Sequence, residues 1–261
     1  MNKLTAGIVL LFSAMTSYAA SGVCLPFGEA QTRPTHVATL QAGAKLYFNY
    51  CASCHSLQYM RYSRIAKDLE LTEAEVTGSL IFTDAKIGDY VTNNMPAGSK
   101  TTKGALDWFG QAPPDLSLTA RSRGVNWIYN YLKSFYADPT RPVGWNNLTF
   151  PGASMPNPLW ELQGLQQFHV ATDGEHAATT SDAAHAGDPA CSPETLSMLN
   201  AGTRSASQFD ADMLALTSFL EYVGEPAAIQ REHYGIWVLL YLVALTLLLY
   251  LVKNEYWKDI H

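Results

Sequence analysis

The stretch that most constrains this chain is Cys51-Ala52-Ser53-Cys54-His55. Two thiols at this spacing can each add to one vinyl group of a haem, and the histidine that follows can ligate the iron. A redox-active cysteine pair would need a strand–helix–strand context, which the surrounding sequence does not indicate. Half of a zinc site would need further ligands at short spacing, and the chain has no second C-x-x-C. The motif therefore predicts one covalently bound haem c per chain, attached to Cys51 and Cys54, with His55 as an iron ligand.

The N-terminus has the pattern of a secretory signal peptide. Lys3 precedes an apolar run at 8–12, and small residues follow up to Ala19. A charged start, a short apolar run and a small-residue cleavage site are typical of exported proteins. The apolar run is too short to span a bilayer, which disfavours an uncleaved anchor. We therefore expect a signal peptide at 1–19 and an exported haem domain at 20–230.

The C-terminus has a different apolar run, which is long enough to cross a membrane. Residues 235–252 carry no charge, and tyrosine and tryptophan residues flank the run as in interfacial belts. Lys253 and Lys258 follow it, which favours a cytoplasmic tail. We predict one transmembrane helix at 231–253, which crosses the bacterial inner membrane, and a cytoplasmic tail at 254–261. The haem domain would then lie in the periplasm.

The charge of the chain bears on its partners. Its formal net charge is −6 over 261 residues. This balance argues against nucleic acid as a partner, and it permits a basic protein partner that is steered by charge.

Apolar spacing predicts a mainly α fold with long loops. Helices are predicted at 36–50, 65–69, from Thr72 onward, and at 103–109, 125–137 and 208–222. In the first of these, Gly43 and Ala44 are small enough for another helix to cross close to that face.

Two long segments are predicted to lack regular structure. The segment 138–158 is rich in proline and glycine but also carries large apolar residues, which indicates a packed and functional loop. The segment 169–194 is rich in Ala, Thr, Asp and His and has no Lys or Arg, so it is interpreted as a flexible surface insertion. Cys24 and Cys191 are the remaining cysteines, and a disulfide between them is plausible in an exported protein.

The ligand on the far side of the iron decides what a haem can do. A methionine would close the site and raise the reduction potential, whereas a haem bound only by His55 would be open to oxygen or peroxide. Met60 is too near His55 to reach the opposite face, and Met198 and Met213 lie in helical or pre-helical contexts. Met95 and Met155 remain; both precede a proline in a loop, spacing does not separate them, and sequence context favours Met155.

Two further features are candidates for contact with the cofactor. Pro113 and Pro114 have fixed φ angles and no amide hydrogens, so they predict a stiff, apolar wall. Arg121 and Arg123 follow soon after, and the guanidinium fork of either would match the carboxylate of a haem propionate.

The chain resembles the cytochrome c1 family, the haem subunits of cytochrome bc1 complexes. The matching segments cover most of the predicted mature chain, and they are 49–55, 61–62, 108–110, 113–117, 121–124, 150–152, 155–156 and 255–259. The Pro-Pro-Asp-Leu-Ser run and the C-terminal anchor are the specific part, because C-x-x-C-H is common to c-type cytochromes in general.

The resemblance implies a cytochrome c-like haem domain with long loops, followed by one C-terminal transmembrane helix. It implies that Met155 is the sixth iron ligand and that Arg123 contacts a propionate. By the same resemblance, the chain would take electrons from a Rieske iron–sulfur protein and pass them to a soluble c-type cytochrome. It would sit beside cytochrome b as an electron carrier and would not be an enzyme on its own.

Two alternatives remain at this point. One is a membrane-anchored donor subunit of a terminal oxidase. The other is a haem enzyme or sensor with an open distal site, which would need a polar distal group in place of methionine.

Overall fold

The computed structural model describes residues 23–96, 104–169 and 191–258. The predicted signal peptide at 1–19, most of the predicted insertion at 169–194 and the last three residues of the predicted tail lie outside the described residues.

Close to half of the described residues are helical, so the predicted mainly α fold with a long C-terminal helix is confirmed. The helices are α1 (Val37–Tyr50), α2 (Tyr62–Asp68), α3 (Glu73–Ser79), α4 (Ala105–Phe109), α5 (Thr119–Arg123), α6 (Val125–Lys133), α7 (Trp160–Gln163), α8 (Ala206–Gly224) and α9 (Ala228–Tyr256). The strands are β1 (Leu57–Arg61), β2 (Tyr90–Val91), β3 (Phe135–Ala137), β4 (Trp145–Asn147), β5 (Gly164–Phe168) and β6 (Leu196–Ala201), and a 3₁₀ turn covers Pro193–Thr195.

Helices α1 and α8 cross closely, as the small residues of α1 predicted. A Cβ atom at Gly43 would lie 2.1 Å from the carbonyl oxygen of Ala215 and 2.7 Å from Cβ of Phe219. Only glycine permits such an approach of two backbones. The crossing is the centre of the hydrophobic core, where Leu40, Tyr47, Met213, Leu216 and Phe219 are all fully buried.

Local sequence signals account for two further helix boundaries. Thr72 begins α3 with a capping box, in which its hydroxyl accepts from the Glu75 amide and the Glu75 carboxylate accepts from the Thr72 amide. Gly110 ends α4 in the left-handed conformation, with φ of 71°. Both boundaries follow the predictions made for these segments.

The strands were not predicted, and one helix prediction was wrong at its end. Strands β1 and β2 form an antiparallel pair, and a second sheet has the order β4-β3-β5-β6, with β3 and β5 parallel and its other neighbours antiparallel. The helix predicted over 125–137 ends at Lys133, because Phe135–Ala137 instead pairs with Trp145–Asn147. Aromatic residues suit a strand when a partner is present, and that partner lies within the segment interpreted as a loop.

The N-terminal part of the domain is fastened at several points. A disulfide joins Cys24 and Cys191, a bond that the sequence made plausible but did not decide, and the Cα atoms are 5.4 Å apart. The backbone amides of Phe27 and Ala30 donate to side-chain oxygens of Asn130 and Asn126, both on α6. This segment therefore lies along α6, a helix that also borders the candidate site.

Helix α9 has the length and composition of a membrane span. Its stretch Tyr234–Tyr256 has a mean hydropathy of 2.5, and none of its most apolar window is buried against the rest of the protein. A helix with apolar side chains on all sides and no protein cover is suited to lipid.

Candidate haem site

The C-x-x-C-H motif forms a tight turn at the end of α1. The amide of Cys51 donates to the Tyr47 carbonyl at 2.8 Å, and the amides of Cys54 and His55 donate to the Cys51 carbonyl at 3.0 and 2.9 Å. Cys51 is buried and Cys54 half-buried, and both thiols are unpaired. Burial, and then the neighbouring Cys54, raise the pKa of the Cys51 thiol to about 12. A redox-active pair needs a lowered thiol pKa, so the raised pKa of Cys51 disfavours that alternative.

His55 is held in the form that binds a metal. Its Nδ1 lies 2.7 Å from the carbonyl oxygen of Pro114. A carbonyl only accepts, so Nδ1 carries the proton and Nε2 keeps its lone pair for a metal. Burial lowers the pKa of the His55 ring, although the Pro114 carbonyl and the Asp115 charge act in the opposite direction. The fold therefore fixes the tautomer of the His55 ring and favours its neutral form, and both suit an iron ligand.

The segment that follows the two prolines is bonded alongside the motif. The Leu116 amide donates to the Ser56 carbonyl at 2.9 Å, and the Gln58 amide donates to the Asp115 carboxylate at 2.8 Å. The Tyr59 amide donates to the Ser117 hydroxyl at 3.2 Å. These bonds fix the Pro114 carbonyl against His55.

Among the protein atoms alone, Pro113 is half-buried and Pro114 is exposed. The sequence interpretation of the two prolines as a wall did not include an orienting role for the Pro114 carbonyl. That role belongs to a backbone atom, which no side-chain pattern reveals.

Two further residues hold the motif, and sequence reasoning missed both. The Tyr47 hydroxyl donates to the His55 carbonyl at 2.6 Å, and the Asn93 side-chain amide donates to the Cys54 carbonyl at 2.5 Å. Burial raises the pKa of the Tyr47 hydroxyl, so it remains a donor. Tyr47 sits on the buried face of α1, where aromatic spacing indicates packing alone.

Arg123 lies beside the loop that contains Met155. Its guanidinium carbon is 5.1 Å from the ring centroid of Trp127 and 5.7 Å from that of Phe150. The side chain of Arg121 begins in a different place, since its Cγ lies near Gly224 at the end of α8. Of the two arginines, Arg123 is therefore the one that the structure brings to the start of the methionine loop.

The two candidate methionines are both half-buried. Met155 lies in the loop between β4 and α7, five residues after Phe150. Met95 lines a cleft of about 500 Å³ beside the motif turn. The same cleft is lined by Trp108 and by Ala52 and Ser53, the two residues between the motif cysteines.

The other methionines are separated by their surroundings. Met60 and Met213 are fully buried in the core, which fits the packing role expected of Met213. The sequence placed Met198 in a helical or pre-helical context, and this was wrong. Met198 belongs to strand β6 and is exposed. Within residues 23–96, 104–169 and 191–258, no group of three or more His, Cys, Asp or Glu could hold a bare metal ion.

The residues present fit a haem. Two unpaired thiols and a histidine with a free Nε2 share one turn, and a guanidinium lies beside a methionine loop. Together with the membrane-length helix, this fold and site fit a c-type cytochrome with a C-terminal membrane helix.

Comparison with known proteins narrows this class. The chain matches the sequence model of the Cytochrome C1 family over residues 31–260. It is 43% identical to cytochrome c1 of Allochromatium vinosum, with all of both chains covered. It is also 37% identical to the ammonia monooxygenase gamma subunit of Nitrosomonas europaea, with 85% of this chain and 84% of that protein covered. Cytochrome c1 of Rhodospirillum rubrum is 25% identical, with 85% of this chain and 81% of that protein covered. The chain belongs to the cytochrome c1 family.

Membership of this family makes the chain a haem-carrying electron-transfer subunit of a cytochrome bc1 complex, associated with the membrane. An electron-carrier subunit of this family fits a chain that is not an enzyme by itself, and the family match covers residues 31–260.

Proposed function

We propose that this chain carries one covalent haem c between His55 and Met155 and acts as a one-electron carrier. Cys51 and Cys54 would form the two thioether bonds, and Nε2 of His55 and the thioether of Met155 would be the axial ligands. Pro113 and Pro114 would border the haem, and Arg123 would pair with a propionate. The single observation that carries this proposal is the bond from Nδ1 of His55 to the Pro114 carbonyl, which leaves Nε2 free beside two unpaired thiols.

The chain's own residues set the behaviour of such a site. A bound haem supplies a couple that gains and loses one electron. The Pro114 carbonyl orients His55, and Tyr47 and Asn93 hold the backbone of the motif turn. Met155 would close the distal side against oxygen and raise the reduction potential.

The direction of electron flow and the topology are also part of the proposal. Electrons would arrive from a Rieske iron–sulfur protein and leave to a soluble c-type cytochrome, with cytochrome b as the neighbouring membrane subunit. The haem domain would lie in the periplasm after removal of residues 1–19, and 254–261 would be cytoplasmic. Support comes from the similarity to cytochrome c1 of Allochromatium vinosum and from Lys253 and Lys258 after the apolar run.

The ligand assignment is tested by exchanging each candidate methionine for leucine. Met155→Leu should lower the reduction potential, abolish the methionine–iron charge-transfer band and let the reduced haem bind carbon monoxide. Met95→Leu is the matched control, since it also removes a half-buried thioether before a proline, and it should leave all three properties unchanged. If Met95→Leu opens the haem and Met155→Leu does not, the assignment is wrong.

The partner assignment is tested by purifying the complex in mild detergent. Cytochrome b and the Rieske protein should accompany the chain, and added quinol should reduce its haem before a soluble c-type cytochrome is reduced. Recovery with a terminal oxidase and without cytochrome b would contradict the proposed partners.

A further inference from the structure

Asn147, the last residue of β4, is a fully buried polar residue that sequence reasoning did not single out. Its Oδ1 accepts from the amides of Thr149 and Phe150 and from the hydroxyl of Ser134, each at 3.0 Å. Its Nδ2 donates to the carbonyl of Tyr131 at 2.8 Å. One side chain therefore joins the turn after β4 to the C-terminal end of α6.

The turn that Asn147 holds leads directly to Met155. The Phe150 ring centroid lies 6.0 Å from that of Trp127 on α6. Two residues later, the Gly152 amide donates to the side chain of Asn146 at 2.8 Å, and the chain turns in the left-handed region with φ of 79°. From Gly152 only three residues remain to Met155, a reach of at most about 10 Å.

We propose that Asn147 is a positioning residue for Met155, which rests on the proposed function of Met155 as the distal ligand. The asparagine amide offers an acceptor toward the turn and a donor toward α6 at the same time. Leucine has nearly the same shape but neither group, so it would remove the acceptor shared by the buried amide of Thr149 and the partly buried amide of Phe150. The Thr149 amide would keep its longer bond to the Ser134 hydroxyl, at 3.4 Å. A turn that loses these bonds holds its methionine less firmly on the iron.

The test uses Asn147→Leu in the full chain within its detergent-solubilised complex. The fraction of reduced haem that binds carbon monoxide should rise roughly tenfold, which corresponds to leaving one amide, that of Phe150, without its acceptor. The reduction potential should fall, because the methionine-free form has the lower potential. Ser134→Ala is a milder variant that keeps the bonds from both amides to Asn147. It removes the Ser134 hydroxyl with its contacts to Asn147 and to the amide and hydroxyl of Thr149, and it should raise the carbon monoxide-binding fraction about threefold.

Val76→Ala is the control for simple loss of stability, because Val76 is fully buried in α3 and belongs to neither the turn nor α6. It should lower the melting temperature without changing the potential or carbon monoxide binding. If Asn147→Leu and Ser134→Ala behave in the same way as Val76→Ala, the positioning role is wrong. If Asn147→Leu does not fold, Ser134→Ala alone decides.

The two proposals fail in distinguishable ways. If Met155→Leu opens the haem and the Asn147 and Ser134 variants do not, the ligand stands and the positioning role is overturned. If Met155→Leu leaves the haem closed, the ligand assignment fails, and the role of Asn147 falls with it.

Discussion

The close crossing of α1 and α8 makes a sharp prediction for Gly43→Ala. The added methyl carbon would lie 2.1 Å from the Ala215 carbonyl oxygen, about 1.3 Å short of the 3.4 Å at which ordinary contact begins. The nearest atoms belong to the backbone of α8 and to Cβ of Phe219, so no side-chain rotation relieves the contact. The two helices must separate, and the core residues between them lose contact with each other.

The magnitude follows from two opposing terms. Overpacking of a well-filled core costs typically about 1–3 kcal/mol, and a backbone contact belongs at the upper end of that range. Alanine gains back about 1 kcal/mol over glycine in helix propensity. We therefore expect Gly43→Ala to lower the free energy of unfolding by about 2 kcal/mol.

Gly78→Ala is a matched control within the same domain. Gly78 lies in helix α3, and a Cβ there would meet nothing within 4 Å. This variant should gain about 0.5–1 kcal/mol from helix propensity alone. In thermal unfolding of the haem-loaded chain, followed by circular dichroism, the two variants should differ by about 6 °C or more. Equal melting temperatures would refute the inferred contact between α1 and α8.

Two further predictions concern stability. Cys24→Ser should lower the free energy of unfolding by about 2–4 kcal/mol, because the disulfide to Cys191 closes a loop with a sequence separation of 167. In thermal unfolding, a reductant should destabilise the wild type and leave the variant unchanged. An equal response of both proteins would contradict the disulfide. Burial acts to raise the pKa of Asp210, but bonds from Lys133 and Tyr129 outweigh it and hold that pKa below its usual range. A lowered folded-state pKa stabilises the protein above the unfolded value of about 4, and this stabilisation is lost as the pH falls through the folded value. Asp210→Asn should therefore be less stable than the wild type at neutral pH, with a gap that closes in acid; a gap independent of pH in acid titrations would contradict this.

The parts of the fold that sequence predicts are those that local spacing determines. The motif turn and the C-terminal apolar helix each depend on residues that lie close together in the chain. For the helix crossing, the small residues around Gly43 indicate one side, and the partner residues Ala215 and Phe219 lie far along the chain. The short strands depend on partners elsewhere, and Phe135–Ala137 was assigned to a helix because its partner Trp145–Asn147 lay in an apparent loop. Tertiary pairing decides such short aromatic segments.

The candidate site divides in the same manner. Cys51, Cys54 and His55 carry a signal that is complete within five residues. The acceptor for His55 is a backbone carbonyl 59 residues away, and its placement depends on hydrogen bonds made by the residues after it. Asn147 likewise has no motif, since its role depends on donors and an acceptor from both sides of the β3–β4 connection. Contacts of this kind require the folded chain.

The central claim is that one haem c is closed on both sides by residues of this chain. The most direct measurement is the absorbance spectrum of the reduced native complex before and after addition of carbon monoxide. The account predicts an unchanged spectrum for the haem of this chain, because the proposed Met155 ligand would occupy the distal position. Rapid carbon monoxide binding by the native, undamaged protein would contradict the closed site and the carrier function built on it.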